Sequence, residues 1–427
     1  MTDTQRKQDE APALDKRSLQ LLLKMGWRNI WRNKRRTIIT VLAVTFALTL
    51  SIAMRGVQLG TYEVNIRYVV ELFTGHLQIQ RQGYQKNPTL QKSFVLTDSL
   101  RGLIENDRRI VAAAPRLLGD GLISFKENSL GAFIIGISPE REQAFSKIMT
   151  KLRSGRFFRS DTAHEIVVGQ QLLDNLKARI GDEVVVLAQG LDGTLGNYKY
   201  RIVGTIKTGS PDFDNGSIFM GLSAAQELLA APQRVSMVAL MLDDLQEIPV
   251  VKSTLTGELD GTRLTVLAWN EVAPDLDQSI QLDNVSGMLM LGILIVVVAF
   301  GIANTVLMSV TERFREFGVV LSIGMPTRYL MVLVLFETLF IVVIGMVIGN
   351  ALGAGINYYI MHHPIVFTGQ YEQVYAEYGF LPRMESTLRI GMLFNSTMAT
   401  FAISLLATIY PLMKVYRLRP LKGIRYT

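Results

Sequence analysis

The sequence predicts an α-helical membrane protein with four transmembrane helices, one plus three, and a large α+β extracytoplasmic domain between the first and second. Three observations predict it. Four long apolar stretches stand out from a chain of 427 residues, one early and three late. Basic residues are concentrated in the short segments beside them. The long region after the first stretch switches to short alternating runs broken by turn residues, the pattern of strands rather than spans.

Composition agrees. The chain is 49% hydrophobic and only 19% charged, with a mean hydropathy of +0.25. That excludes a disordered protein, which cannot be rich in apolar residues. There is no cysteine, which removes disulfide scaffolds, Cys-ligated zinc, iron–sulfur clusters and thiol chemistry.

Residues 1–36 come first. Leu19, Leu22, Leu23, Gly26, Trp27, Ile30 and Trp31 recur at helical spacing on one face, and Arg28, Arg32, Lys34, Arg35 and Arg36 lie off that face or at its end. This predicts an amphipathic helix on the cytoplasmic membrane surface, with tryptophan at headgroup depth. A plain N-terminal extension of the first span is the alternative. The first span is 37–56, in which Thr37–Met54 is uncharged for 18 residues, close to the roughly 20 a helix needs to cross the hydrocarbon core. No small-x-small cleavage site follows, only Met54-Arg55-Gly56, so a retained anchor is expected rather than a signal peptide.

Residues 57–283 form the outside domain. The stretches 57–74 and 271–287 read as its two stalks. Strands are predicted at 75–80, 132–137, 165–168, 183–187, 199–203 and 217–220, with helices at about 98–107, 139–151, 170–178, 223–230 and 246–259. The second span is 284–310, with Met288–Val310 uncharged. A charged loop, 311–328, leads to the third span, 329–356, whose one charge is Glu337. A second outside loop, 357–389, is rich in tyrosine (Tyr358, Tyr359, Tyr371, Tyr375, Tyr378). The fourth span is 390–413, and 414–427 is a basic tail.

Charge placement sets the orientation. Residues 1–36 carry ten basic and four acidic side chains, 311–328 three and two, and 414–427 five and none. The positive-inside rule puts both termini and the 311–328 loop in the cytoplasm. The net charge of +7 is therefore a topology signal, and no nucleic-acid partner is implied.

Catalytic motifs are absent. No G-x-x-x-x-G-K-[ST] run is present to cradle ATP phosphates, and no H-E-x-x-H or G-x-S-x-G. His362 and His363 are sequence neighbours and would face apart on a helix, so no metal site is expected. Asp212-x-Asp214-x-Gly216 begins like a calcium loop, but its twelfth position is Ser223 rather than glutamate, so it is read as a turn.

Asn304-Thr-Val-Leu-Met-Ser-Val-Thr-Glu312-Arg313-Phe-Arg315-Glu316-Phe-Gly318, continuing to Gly324, reads as a helix leaving the membrane, a charged turn and a short helix. This run resembles the junction of second span and coupling helix in the permeases of the MacB/FtsX/LolC–LolE superfamily of ABC transporters. Glu337 followed by Gly345 and Gly349 is similar to their third span. Ser154-Gly-Arg-Phe157, Glu165-Ile-Val-Val-Gly169, Ile180-Gly-Asp182, Tyr200-Arg-Ile-Val-Gly204 and Ser217-Ile-Phe-Met220 look like their outer domain. The resemblance covers nearly the whole chain.

The resemblance implies that Glu312, Arg313, Arg315, Glu316, Gly318 and Gly324 dock on a separate ABC ATPase, which would hold ATP and magnesium, this chain needing no cofactor. It implies a bacterial inner-membrane complex with a second permease chain, identical or different, and a periplasmic carrier or adaptor. No fused ATPase, and the stretch Leu72-Phe-Thr-Gly-His-Leu-Gln-Ile, favour the lipoprotein-releasing LolC/LolE branch. The long 357–389 loop departs from it and suggests a paralogous system. Efflux of small molecules or peptides, FtsX-like mechanotransmission to a periplasmic enzyme, and a membrane-anchored receptor stay open.

Three intramembrane features stand out. Glu337 lies about 12 Å inside the third span, where a carboxylate is costly unless paired. A hydrogen bond to another span, for example to Asn304, Thr305 or Ser309, is the favoured role. Gly345, Gly349 and Gly353 make a small-xxx-small face for close helix packing, in this chain or against the partner permease. Met288 and Met290, at the outer end of the second span, are either part of an acyl-chain site or, more simply, a lipid-facing helix end.

Overall fold

The computed structural model describes residues 15–377 and 381–417. The expected feature at Tyr378 and the basic tail beyond Arg417 lie outside those residues. In chain order the elements are α1 (Lys16–Arg32), α2 (Lys34–Val69, followed by a π-helical turn at Val70–Thr74), β1 (Leu77–Arg81), β2 (Phe94–Val95), α3 (Asp98–Asn106), β3 (Ile110–Phe125), β4 (Asn128–Ile137), α4 (Pro139–Phe145), β5 (Leu152–Gly155), β6 (Glu165–Gly169) and α5 (Gln170–Leu176). There follow β7 (Glu183–Gln189), β8 (Leu195–Ile206), α6 (Pro211–Gly216), β9 (Ser217–Gly221), α7 (Leu222–Leu228), β10 (Arg234–Val235), β11 (Met237–Leu242), α8 (Ile248–Glu258), β12 (Leu264–Ala268) and α9 (Trp269–Val272). The chain ends with α10 (Pro274–Glu312), α11 (Phe314–Ser322), α12 (Thr327–His362), β13 (Ile365–Val366), α13 (Gln370–Glu377), β14 (Arg383–Met384) and α14 (Ile390–Tyr416).

The chain divides into two compact units: residues 1–61, 282–365 and 384–427 form one, and 62–281 with 366–383 the other. Among the described residues four helices are long and apolar enough to cross a membrane: α2 with its π turn, α10, α12 and α14. Residues 34–61 of α2, 282–312 of α10, and α12 and α14 belong to the first unit, where Val44, Leu48 and Ile52 of α2 pack with Ile302, Val306 and Val310 of α10, and with Leu330, Val334, Val342 and Met346 of α12. The rest of α10 is different. Leu289, Ile293, Val297 and Phe300 are each more than 60% exposed. Such a face is stable in hydrocarbon or against another membrane helix, not in water.

Helix α1 begins at Asp15, whose side chain accepts from the Lys16 N–H. It buries Leu22, Gly26 and Ile30, and a Cβ on Gly26 would sit 3.3 Å from the Cβ of Phe336, so α1 lies closely along α12. At Asn33 the helix breaks before α2, and the buried hydroxyl of Thr37 donates to the Ile30 carbonyl across the break.

The second unit holds a ten-stranded mixed sheet in the order β12-β1-β11-β3-β4-β9-β6-β8-β5, with β7 pairing β3 and β8. Strand β3 organises it. Its first part pairs with β11, its last part with β7, and Arg116–Phe125 runs beside β4. Two cores result. One gathers Leu117, Ile134, Ile166, Val168, Tyr200 and Ile218 with α5 and α7, and the other Leu77, Ile79, Leu240 and Val266 with α3 and α8. Each predicted strand overlaps an observed one, but β2, β3, β5 and β10 to β14 were not predicted. The helix expected over 139–151 ends at Phe145 and resumes as a 3-10 turn at Ile148–Lys151. The 212–216 stretch, expected as a turn, is part of the short helix α6, and the Asp214 carboxylate ties it to the preceding residues by accepting from the Thr208 and Gly209 N–H groups and the Thr208 hydroxyl.

Candidate functional site

The run that joins α10 to α12 folds as a tight structure. Helix α10 stops at Glu312. Arg313 leaves helical geometry (φ −100°, ψ 9°) and α11 starts at the next residue. After Ser322 the chain turns at Gly324, whose φ of +104° suits only glycine, and Pro326 sets the start of α12.

The charged side chains of this turn do not share one direction. Arg313 turns inward: its Nη1 donates to both oxygens of Glu337, at 2.8 and 3.0 Å, and its Nε donates to Glu316 at 3.2 Å. The guanidinium also sits 4.9 Å from the Phe317 ring centroid. Glu337 accepts a third hydrogen bond, from Asn29 Nδ2 of α1, at 2.6 Å. The Arg313 and Glu337 side chains are 15% and 12% exposed, so their charges are mutually compensated in a poorly solvated place. Around them Arg32 of α1 pairs with Glu316 at 2.7 Å, and Arg36 of α2 pairs with Glu312. Partial burial pushes the Glu316 carboxyl upward, but hydrogen bonds from Arg32 and Arg313 outweigh it and hold the group below its ordinary value. One network thus ties the α10–α11 turn to α1, α2 and α12. Beside it is a polar cavity of about 220 Å³, lined in part by Thr37, Thr40, Thr305, Ser309 and Thr338, large enough for several waters.

The residues singled out from the sequence separate accordingly. Glu312, Arg313 and Glu316 are engaged within the chain. Arg315 is exposed, together with Val319 (46%) and Ile323 (83%), while Gly318 is buried beside Phe317 and Leu321. Asn304 is exposed on α10 and is not brought to Glu337. Thr305 and Ser309 line the cavity, but Glu337 bonds to Arg313 and Asn29. A partial sequence signal for Arg313 existed: it is one of three basic residues in the segment before the span that carries Glu337. Asn29 gave none, because it lies on a different helix hundreds of residues away.

Gly345, Gly349 and Gly353 face α2. Added Cβ atoms would meet Val44, Leu48 and Ile52 at 2.8, 3.0 and 2.8 Å. Thr45 and Thr49 hydroxyls donate to the Gly345 and Gly349 carbonyls at 3.1 and 3.3 Å, and further along Asn357 donates to the Ile52 carbonyl at 2.9 Å. Met288 and Met290 are 62% and 57% exposed on α10.

Two family models match the chain. The model of the MacB-like periplasmic core domain matches residues 37–257, just over half the chain, and that of the FtsX-like permease C-terminal domain matches residues 288–420. The chain belongs to the MacB/FtsX-type ABC transporter permeases, multi-pass membrane proteins with a periplasmic domain. It is similar to the lipoprotein-releasing system transmembrane protein LolC of Neisseria meningitidis, 23% identical over 404 residues that cover 91% of this chain and 94% of that one. The macrolide export ATP-binding/permease protein MacB of Bdellovibrio bacteriovorus is 21% identical, covering 100% of this chain and 64% of its own length. The crystal structure of the periplasmic region of MacB from Actinobacillus actinomycetemcomitans aligns with a TM-score of 0.36 at 13% identity, over 49% of this chain and 95% of that one. The matched regions are permease and periplasmic core, not a catalytic domain, and a permease of this class works with an ABC ATPase.

Proposed function

We propose that this chain is the permease of an ABC system that releases lipoproteins from the inner membrane toward the outer membrane. The observation that carries the reading is the similarity to LolC, which runs over 91% of this chain and 94% of that protein. Both termini lie in the cytoplasm, on the charge asymmetry of the segments beside the spans. The exposed face of α11, with Arg315, Val319 and Ile323, docks on the ATPase that binds ATP and magnesium. The Arg313–Glu337 network behind that face transmits the movement to α1 and α12. A second permease chain completes the complex, and a periplasmic carrier or adaptor receives the client.

The test is affinity purification from native membranes with mass spectrometry of what is retained. An ABC ATPase together with acylated lipoproteins is the expected result. Recovery of an ATPase with a periplasmic adaptor and no lipoprotein would instead support efflux, the reading favoured by the full-length alignment to MacB. Arg315→Glu with Ile323→Asp should abolish ATPase association; retained association would remove α11 from the docking face.

A further inference from the structure

Lys24 and Arg28 are four residues apart on α1, both exposed, and among the described residues no carboxylate is paired with either. The carboxylates of the neighbouring elements are committed elsewhere: Glu312 to Arg36, Glu316 to Arg32 and Arg313, and Glu337 to Arg313 and Asn29. Asp15 caps its own helix. Among the described residues, two cations are therefore left at this place without protein anions to balance them.

They also border a hollow. Between α1 and α12 is a shallow depression, wide open to its surroundings and lined by Leu23, Lys24, Trp27, Arg28 and Phe340. Three apolar side chains line it, and Trp27 meets Phe340 edge-on at 5.4 Å, so its wall is fixed rather than floppy. A floor of apolar and aromatic groups beside a pair of uncompensated cations matches one chemistry: an acyl chain joined to an anionic phosphate. Tryptophan at the membrane interface and basic clusters at helix ends are the physical elements of such recognition.

We propose that the hollow between α1 and α12 is a binding site for one anionic phospholipid, with its phosphate on Lys24 and Arg28 and an acyl chain along Trp27 and Phe340. The lipid lies beside the Gly26 contact and holds α1 on α12, so the membrane's anionic lipid content reaches the Asn29–Glu337–Arg313 network through α1. The inference rests on the membrane assignment and not on the lipoprotein reading. A zwitterionic lipid supplies the chain but no net charge to balance the two cations, so the site discriminates by headgroup.

The experiment uses the full-length permease alone, carrying Trp31→Phe and Trp269→Phe so that Trp27 is its remaining tryptophan. It is reconstituted in phosphatidylcholine vesicles containing phosphatidylglycerol, with the bromine quencher placed on the chains of either one lipid or the other. Brominated phosphatidylglycerol should quench Trp27 in clear excess over brominated phosphatidylcholine. Lys24→Gln with Arg28→Gln should reduce that preference about 20- to 30-fold, roughly fivefold per cation near the surface. Arg17→Gln with Arg35→Gln removes two cations that do not line the hollow and should leave the preference intact. Equal quenching by the two lipids would overturn the proposal, as would an equal loss in the Arg17 and Arg35 variant, which would mean a general surface charge effect. Absence of quenching by either lipid would also overturn it, because a protein surface would then cover the hollow.

Discussion

Arg313 and Glu337 form a two-point ion pair across 24 residues of sequence, the guanidinium donating to both carboxylate oxygens at 2.8 and 3.0 Å. It explains how a carboxylate is tolerated ten residues into an apolar helix, a place where an uncompensated charge costs several kcal/mol. It also makes the turn after α10 and the body of α12 one mechanical piece. Because Asn29 shares the carboxylate, α1 belongs to that piece too.

Glu337→Gln should therefore weaken the membrane unit by about 1–3 kcal/mol, since Arg313 loses its buried partner and keeps only the half-exposed Glu316. The complex should still assemble, with ATP hydrolysis poorly coupled to transport. Arg313→Gln combined with Glu337→Gln should restore part of the stability, because no lone charge then remains buried. Thermal denaturation and coupled ATPase assays on the two variants decide this. Wild-type coupling in Glu337→Gln would remove the pair from the mechanism.

Gly349→Leu tests the seam between α2 and α12. Even the first added carbon lies 3.0 Å from Leu48 Cβ and 3.1 Å from the Thr45 carbonyl, so the helices have to separate and the Thr49 hydrogen bond is lost. A cost of about 1–3 kcal/mol is expected, seen as a lower melting temperature and loss of assembled complex. Gly355→Leu, where an added carbon meets nothing within 4 Å, should be near neutral. Equal behaviour of the two variants would refute the packing face.

Spans were legible because hydrocarbon demands some twenty apolar residues in a row, and no soluble element imitates that. Strands β6, β7 and β9 were legible because Ile166-Val-Val, Val184-Val-Val and Ile218-Phe-Met are short β-branched or aromatic runs. Strand β3 was not. Its sequence, IVAAAPRLLGDGLISF, contains a proline, two glycines and three alanines, all weak strand formers. Its glycines answer a tertiary need: a Cβ on Gly121 would lie 2.5 Å from the Leu187 carbonyl of β7. In the site, the spacing revealed Glu337 and the turn, but the choice of Arg313 over Thr305 or Ser309 as partner depends on how α11 folds back. The role of Asn29 depends on α1 lying along α12, which no local pattern encodes.

Arg116 and Glu142 form a second buried pair, 0% and 1% exposed, at 2.5 Å. The same guanidinium donates to the Phe73 carbonyl of the π-helical turn after α2 and lies 3.9 Å from the Phe73 ring centroid. It thus clamps the end of that turn to β3 and α4. Glu142→Gln should destabilise the periplasmic unit by about 3–5 kcal/mol, because the arginine stays buried without a counter-charge. Hydrogen exchange should rise at Val70–Thr74 and in β3 of the full-length protein. Unchanged exchange at the turn would show that the pair serves the core alone.

The pair Arg156–Glu165 gives a pH prediction. Hydrogen bonds from Arg156 are the largest influence on Glu165 and hold its carboxyl below the ordinary value of 4.5, with Arg156 Nη1 and Nη2 reaching the two oxygens at 2.7 and 2.5 Å. A carboxyl whose value is depressed by folding favours the folded state above its unfolded value, and that contribution is lost as pH falls through the folded one. The stabilisation is therefore full at neutral pH and fades below about pH 4.5. Arg156 is 41% exposed, so solvent screening keeps the effect to about 1 kcal/mol or less. Arg156→Gln should lower stability at pH 7 by that amount and flatten the loss on acidification below pH 4.5. Denaturant unfolding of the two proteins at neutral and acid pH measures both terms. A deficit in Arg156→Gln that is the same at both pH values would show that the arginine acts through packing rather than charge.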